Sequence, residues 1–376
     1  MQNHQPEIES LRRRCEGWLP HQYDREDRAE AQARLNSELK LVEQHGHSEA
    51  IQRAAEIGRF TVQQGISSKL IGAGPCSIIS YLLRLSDIDP LRHQLPAERF
   101  LSHQTIGFYF IVDPKHESEV RDFAEVRTGF EQTIRIHSAT ELEMVPHHVA
   151  RLIQRDCDLE FDVRSLPLVD ARTGEFLSEE NIAGVFQLES EEIQLPLCEL
   201  KPRSVESLAA ILTAVQISTA RDGFLEEFVE RAARGHDAPR KPFTVSELLR
   251  ETHGLLLYQE QIMLVLYRLG GIALEDGYEF VKQAAKRKNI GAFRERFLKS
   301  AVNSTMSKDE SETLFDELEQ AAGYALCKSH QLANAITTWR SAYLKTHFRK
   351  EFEQAAERIA VFVRRIDWPA CFEFWN

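Results

Sequence analysis

The chain has 376 residues, 43% of them apolar and 28% charged, with a net charge of −12 at pH 7. That is ordinary for a globular protein with room for two or three domains, and an acidic balance disfavours nucleic acid as a partner unless basic residues are locally concentrated. No run of about 18 apolar residues occurs, so no membrane-spanning helix is expected, and the start, MQNHQPEIESLRRR, lacks the apolar stretch of a secretory signal.

Residues 5–63 read as helices: Leu35, Leu39, Leu41 and Val42, then Ile51, Ala54, Ala55 and Ile57, recur near helical spacing. Lys69 to Ser77 reads as a glycine-bearing turn leading into a helix at Ile78, a geometry whose free N–H groups suit an anion and which a plain glycine loop also resembles. Residues 105–113, TIGFYFIVD, are β-branched and aromatic and predict a strand; 132–136 predicts a second. In 156–163, Asp156, Asp158, Glu160 and Asp162 alternate with apolar residues, which predicts four acids on one strand face. Such a face is either a cation site or a solvated surface, the latter being commoner. From 166 onward apolar residues recur at helical spacing through 205–217, 224–233, 245–250, 259–269, 310–320 and 334–344, with a polar linker at 236–243.

Two basic clusters stand out. Lys282, Lys286, Arg287, Lys288, Arg294, Arg296 and Lys299 fall in one stretch with a single acid, Glu295; Arg340, Lys345, Arg349 and Lys350 form the other. The six cysteines (Cys15, Cys76, Cys157, Cys198, Cys327, Cys371) contain no CxxC pair. They read as reduced thiols in a cytoplasmic protein, with no disulfide frame and no zinc site.

Three islands combine apolar anchors with polar groups: Gly184 to Ser190, Tyr258 to Gln261, and Lys328-Ser-His330. With Glu38 to Gly46, Ile71 to Ser77, Ser86-Asp-Ile-Asp-Pro90, Glu98 to Leu101, Leu166 to Asp170, Lys201-Pro202, Glu251 to Gly254, Lys286 to Lys288, Tyr324 and Ala342 to Lys345, they fall in one order. In that order the chain resembles the bacterial DNA polymerase III alpha subunit family, nearest its error-prone type, from about Leu11 to Ala356. The resemblance implies an α+β, predominantly helical fold: a small polymerase-beta-like palm remnant followed by helical fingers. It divides the chain into a palm-like part with N-terminal helices (1–165), a fingers-like part (166–356) and an aromatic tail (357–376).

Family polymerases work by two-metal phosphoryl transfer on carboxylate ligands, two of them alternating on one strand and a third on a later strand. The corresponding strand here, within His103 to Val112, has no carboxylate. The later strand, the helical thumb, the N-terminal metal domain and the C-terminal modules are expected to be absent. Asp113 and Asp162 are the weak catalytic candidates. The family's loop arginine and serine are replaced by Ile71 and Ala73, its fingers turn by Ile217 to Ala220, and its paired arginines by Val281 and Lys282. The nucleotide or phosphate candidates implied are Gly72, Ser77, Lys286, Lys288, Tyr324, Lys328, Ser329 and His330. The DNA-backbone candidates are Lys282, Arg287, Arg294 and Lys345. The expectation is a DNA polymerase III alpha-like protein of replication or repair without polymerase activity. It would be a scaffold for primed or single-stranded DNA, or for replisome or mutagenesis proteins, or else a decayed paralogue. No cofactor or metal is expected. The alternative is a minimal DNA-directed DNA polymerase with relocated carboxylates, which alone would call for Mg2+.

Overall fold

The computed structural model describes residues 5–128, 133–157, 161–179, 182–188, 190–234, 243–303 and 306–363. The fold is α+β and predominantly helical, with one three-stranded sheet. Compactness groups the chain into two units that do not follow the linear division at 165. One comprises Met1–Ser138 with Glu206–Ala335, the other Ala139–Val205 with Ile336–Asn376.

In the first unit, helix Gln5–Gln22 packs on both Arg28–His45 and Ser48–Gln63. Their apolar faces bury Leu11, Leu35, Leu39, Val42, Ile51 and Ile57, as the periodicity demands. Gly46, at φ +72°, ends the second helix in the left-handed conformation that glycine adopts without strain. The sheet follows. Strand β1 (Ser68–Ile71) pairs antiparallel with β2 (Phe108–Val112), and β2 pairs parallel with β3 (Ile134–Ser138). A parallel pair needs a crossover, here the helix Glu117–Thr128. That helix packs on Ser48–Gln63, with Phe60 and Phe123 stacked at 4.1 Å.

The pleat sorts the sheet into two faces. Leu70, Phe110 and Ile136 lie in one register row and are all buried, flanked by Phe108, Val112 and Ile134. Facing the other way are Lys69, Ile111 and His137 in one row and Ile71, Tyr109 and Arg135 in the next. Tyr109 and Lys69 are half-buried; Arg135 and His137 are exposed. The remainder of this unit is helical. Ile262, Met263, Leu266, Phe280, Phe297 and Phe315 form a core between the helices Gln259–Gly270, Leu274–Ala285, Gly291–Asn303 and Lys308–Ala322. Gly270 is required there, since a Cβ would meet the Phe297 ring at 2.5 Å.

In the second unit, Glu141–Cys157 packs on Arg349–Val363. Trp339, fully buried, donates Nε1–H to the Pro167 carbonyl at 3.0 Å. Gln187, from the first island, is in left-handed backbone at φ +64°, its Oε1 3.4 Å from Thr338 Oγ1.

Three expectations change. Residues 69–71 are strand, not turn. The second strand is Ile134–Ser138, shifted from 132–136. No strand forms among the described residues of 156–163. Helical spacing of Val145, Val149, Leu152 and Ile153 carries a helix through Cys157, so Asp156 sits in its last turn, bonded to Arg155. Asp162 instead accepts from the Arg164 N–H and caps the turn Val163–Ser165. Asp158 and Glu160 lie outside the described residues, as do most of the 236–243 linker and the aromatics from Trp368 onward.

Candidate functional site

The glycine-bearing segment after β1 does turn donors toward an anion, but the anion is internal. Glu38, fully buried on Arg28–His45, accepts from Ser77 Oγ at 2.6 Å, the Ile78 N–H at 3.0 Å and the Ile79 N–H at 3.4 Å. Arg34 Nε completes the set at 2.7 Å. Ser77, expected to bind phosphate, is thus buried and committed to a carboxylate.

Glu260 plays the same part for a second helix start. Its Oε2 accepts the Lys328 N–H at 2.8 Å, where the positive end of the helix Lys328–His347 favours a negative charge. The Cys327 and Cys76 thiols point to its Oε1 at 3.4 and 3.8 Å. Burial pushes the Cys327 thiol up to about 11, and raises Cys76 as well, so both groups stay as neutral donors. In the same island Gln261 accepts from the Leu257 and Tyr258 N–H groups at 3.0 Å and donates to Thr252 Oγ1 at 2.8 Å. The Tyr258–Gln261 and Lys328 islands therefore form one buried polar network.

Lys328 itself is spent inside that network: Nζ donates to the His93 carbonyl at 2.8 Å and to Glu251 at 2.5 Å. Nearby His93 is 4% exposed, with Nδ1 3.5 Å from Glu206 Oε1, and burial lowers its imidazole to about 4. The unfolded chain takes up this proton near pH 6.5, before the folded one does. The stabilisation from a neutral His93 is therefore complete above pH 6.5 and is lost as pH falls toward 4. Between pH 7 and pH 5 the loss should reach about 2 kcal/mol. Urea unfolding at both pH values, with His93→Gln as the reference lacking this dependence, measures it; equal pH dependence in both proteins would contradict it.

The other candidates sort by what they touch. Tyr324 Oη accepts from Arg221 Nη1 at 3.1 Å. Lys282 is paired with Glu279 at 2.6 Å, and Arg294 with Asp316 at 2.6 Å. Lys345, in the second unit, is buried and donates to the Ala183 carbonyl at 2.7 Å between the rings of Phe176 and Phe352. It is a structural cation and not a surface contact for DNA. Lys286, Arg287 and Lys288 stand exposed together after the helix Leu274–Ala285. Asp113, 2% exposed, accepts from the Lys115 N–H and caps a short turn. Asp113 and Asp162 belong to different compact units.

Gly72, Ser329 and His330 do come together, at the edge of the sheet's outward face. Ser329 Oγ donates to the Gly72 carbonyl at 2.7 Å, and the Gly72 N–H lies 3.4 Å from His330 Nδ1. His330 Nε2 is 3.2 Å from Asn334 Nδ2, and Lys69 Nζ is 3.3 Å from Asn334 Oδ1. A neutral imidazole has one acceptor nitrogen, so it cannot accept from both Gly72 and Asn334. The corner is rich in donors. The Tyr109 ring borders it, 3.6 Å from where a Gly72 Cβ would stand. Lys69, Tyr109, Arg135, His137 and Asn334 escape a reading by motif. The four strand residues show only period-two alternation on three short strands, which does not say which of them share a face until pairing is known, and Asn334 lies on the helix Lys328–His347.

This outward face does not fit a divalent cation. Strand β2 carries no carboxylate on either face, and its register neighbours here are Lys69, Arg135 and His137. Among the described residues no group of three or more His, Cys, Asp or Glu could hold a metal ion.

The profile described as "Bacterial DNA polymerase III alpha NTPase domain" matches residues 9–164, and that described as "Bacterial DNA polymerase III alpha subunit finger domain" matches 141–305. The chain belongs to the bacterial DNA polymerase III alpha family. Family members similar to it include the DNA polymerase III subunit alpha of Thermus aquaticus, 30% identical over 57% of this chain and 19% of the relative. That of Aquifex aeolicus is 28% identical over 58% and 18%, and that of Campylobacter jejuni 27% over 58% and 19%. The chain thus spans about a fifth of the length of these relatives. In this chain Glu38, Glu260 and Gln261 are buried acceptors, and the outward face of the sheet carries Lys69, Arg135 and His137. No described helix is long and apolar enough to cross a membrane.

Proposed function

We propose that this chain is a DNA-binding member of the polymerase III alpha family that does not perform two-metal nucleotidyl transfer. One observation carries the reading: the strand at 108–112 has no carboxylate, and its outward neighbours are Lys69, Arg135 and His137. The relatives are named as DNA polymerases, and the exposed Lys286, Arg287 and Lys288 give this chain a second basic surface suited to phosphates. An acidic protein with local cationic surfaces binds nucleic acid through counterion release. A replication or repair complex is the setting in which such a scaffold would act.

The test is retardation of primed-template DNA across a salt series, with nucleotides and Mg2+ or Mn2+ in a parallel extension reaction. Binding should weaken steeply with salt. About four neutralised phosphates give a log–log slope near −3 on single-stranded DNA. No primer should be extended. Template-dependent extension would establish the polymerase alternative, and absence of retardation at low salt would remove DNA as the partner.

A further inference from the structure

We propose that the outward face of the three-stranded sheet binds the phosphate backbone of single-stranded nucleic acid directly, with no divalent cation between protein and phosphate. The inference rests on the DNA-binding reading and gives it a site.

Register assembles the face. Lys69, Ile111 and His137 cross the sheet in one row, and Ile71, Tyr109 and Arg135 in the next. Adjacent strands lie about 4.8 Å apart, and residues two apart on a strand about 6.6 Å. Lys69, Arg135 and His137 therefore span roughly 10 Å of one surface. Neither Arg135 nor His137 is ion-paired among the described residues, and the Arg135 guanidinium lies 5.5 Å from the Tyr109 ring centroid. The acid nearest the end of β3, Glu117, is bonded to Ser138 Oγ and Arg121 and also feels the charge of His137.

The surface also has the shape for a base beside a phosphate. Gly107 and Gly72 flank Tyr109, and a Cβ at Gly107 would come within 3.1 Å of the ring, which glycine alone leaves clear. A half-exposed tyrosine beside cations is the combination that holds single strands: stacking tolerates any base, while the cations follow the backbone. At one edge Gly72, His330 and Asn334 are bonded to one another and bound the face. A metal-dependent site attracts cations to carboxylates. This face repels cations and attracts the phosphate itself.

The test is fluorescence anisotropy of a labelled oligo-dT with the full chain, in EDTA and in Mg2+, using wild type, Arg135→Gln/His137→Gln and Lys286→Gln/Lys288→Gln. Arg135 and His137 are exposed, so the first variant should keep the wild-type melting profile, which circular dichroism checks. The expected results are equal wild-type affinity in EDTA and Mg2+, and about tenfold weaker binding for Arg135→Gln/His137→Gln. The salt slope of that variant should fall by about 0.7 for each phosphate it no longer neutralises. Wild-type affinity in Arg135→Gln/His137→Gln overturns the site while leaving the DNA-binding reading intact, the more so if Lys286→Gln/Lys288→Gln loses binding. Binding that requires Mg2+ also overturns it. No binding by wild type at low salt overturns the reading and the site together.

Discussion

Glu38→Ala is expected to destabilise the first compact unit by about 4 kcal/mol, the loss typical of removing one partner from a buried ion pair. Four donors converge on this carboxylate: Arg34 Nε, Ser77 Oγ and the Ile78 and Ile79 N–H groups. Arg34 keeps the Cys76 and Leu95 carbonyls at 3.1 and 2.7 Å, and Ile79 keeps Ser77 Oγ at 3.1 Å. Those remaining bonds hold the loss short of a free buried charge. Ser77 Oγ and the Ile78 N–H lose their acceptor, at about 1–3 kcal/mol each for a buried group left unsatisfied. Glu38→Gln keeps two acceptor lone pairs but points an NH2 at a donor, so its loss should be about half as large. Urea unfolding compares the three proteins. Unchanged midpoints in Glu38→Ala would mean that the Ser77 turn does not depend on this anion.

Phe110→Asp is expected to abolish folding of the sheet, whereas Tyr109→Asp is expected to be tolerated. Phe110 is 1% exposed, in a row with Leu70 and Ile136. Emptying such a site of its ring costs about 3–5 kcal/mol, and an unpaired buried carboxylate adds several more. That sum matches the whole stability of a typical domain. One residue away, the new carboxylate of Tyr109→Asp would face Arg135 across the strand pair. An opposite-charge pair there offsets part of aspartate's poor strand propensity, leaving a loss of about 1 kcal/mol. Thermal unfolding by circular dichroism reads both. Equal melting of the two variants would mean that the two faces are not distinguished as the register states. The contrast separates the two faces, because only the 109 and 111 positions of this strand turn away from the buried row.

Much of the fold was legible in the chain. Leu35, Leu39 and Val42, or Ile262, Leu266 and Leu269, repeat at helical spacing because one stripe must be buried, and the helices follow. Thr105 to Val112 declared itself a strand by its β-branched and aromatic residues. The acids of 156–163 misled because alternation over eight residues competes with the apolar stripe of the preceding helix, which carries through Cys157. Tyr258 to Gln261 and Lys328 to His330 carried the family signal, but their polar groups turn inward to satisfy helix starts. Ser77, Lys328 and Lys345 read as phosphate or backbone contacts. Each has a partner far away in sequence (Glu38, Glu251 and the Ala183 carbonyl) that no local pattern announces.

The sequence by itself determined the lineage, the helical periodicity and the lack of a carboxylate in the strand at 108–112, since each is a property of residue types and local spacing. Tertiary structure decided which charges are buried as internal partners and which gather on one face. Glu38 and Glu260 are consumed as internal anions, and Lys328 and Lys345 as internal cations. Strand pairing gathers Lys69, Arg135 and His137, from the two outer strands, onto one face with Tyr109 of the central one. That assembly depends on register, and a shift of one residue would reverse every side chain on the strand.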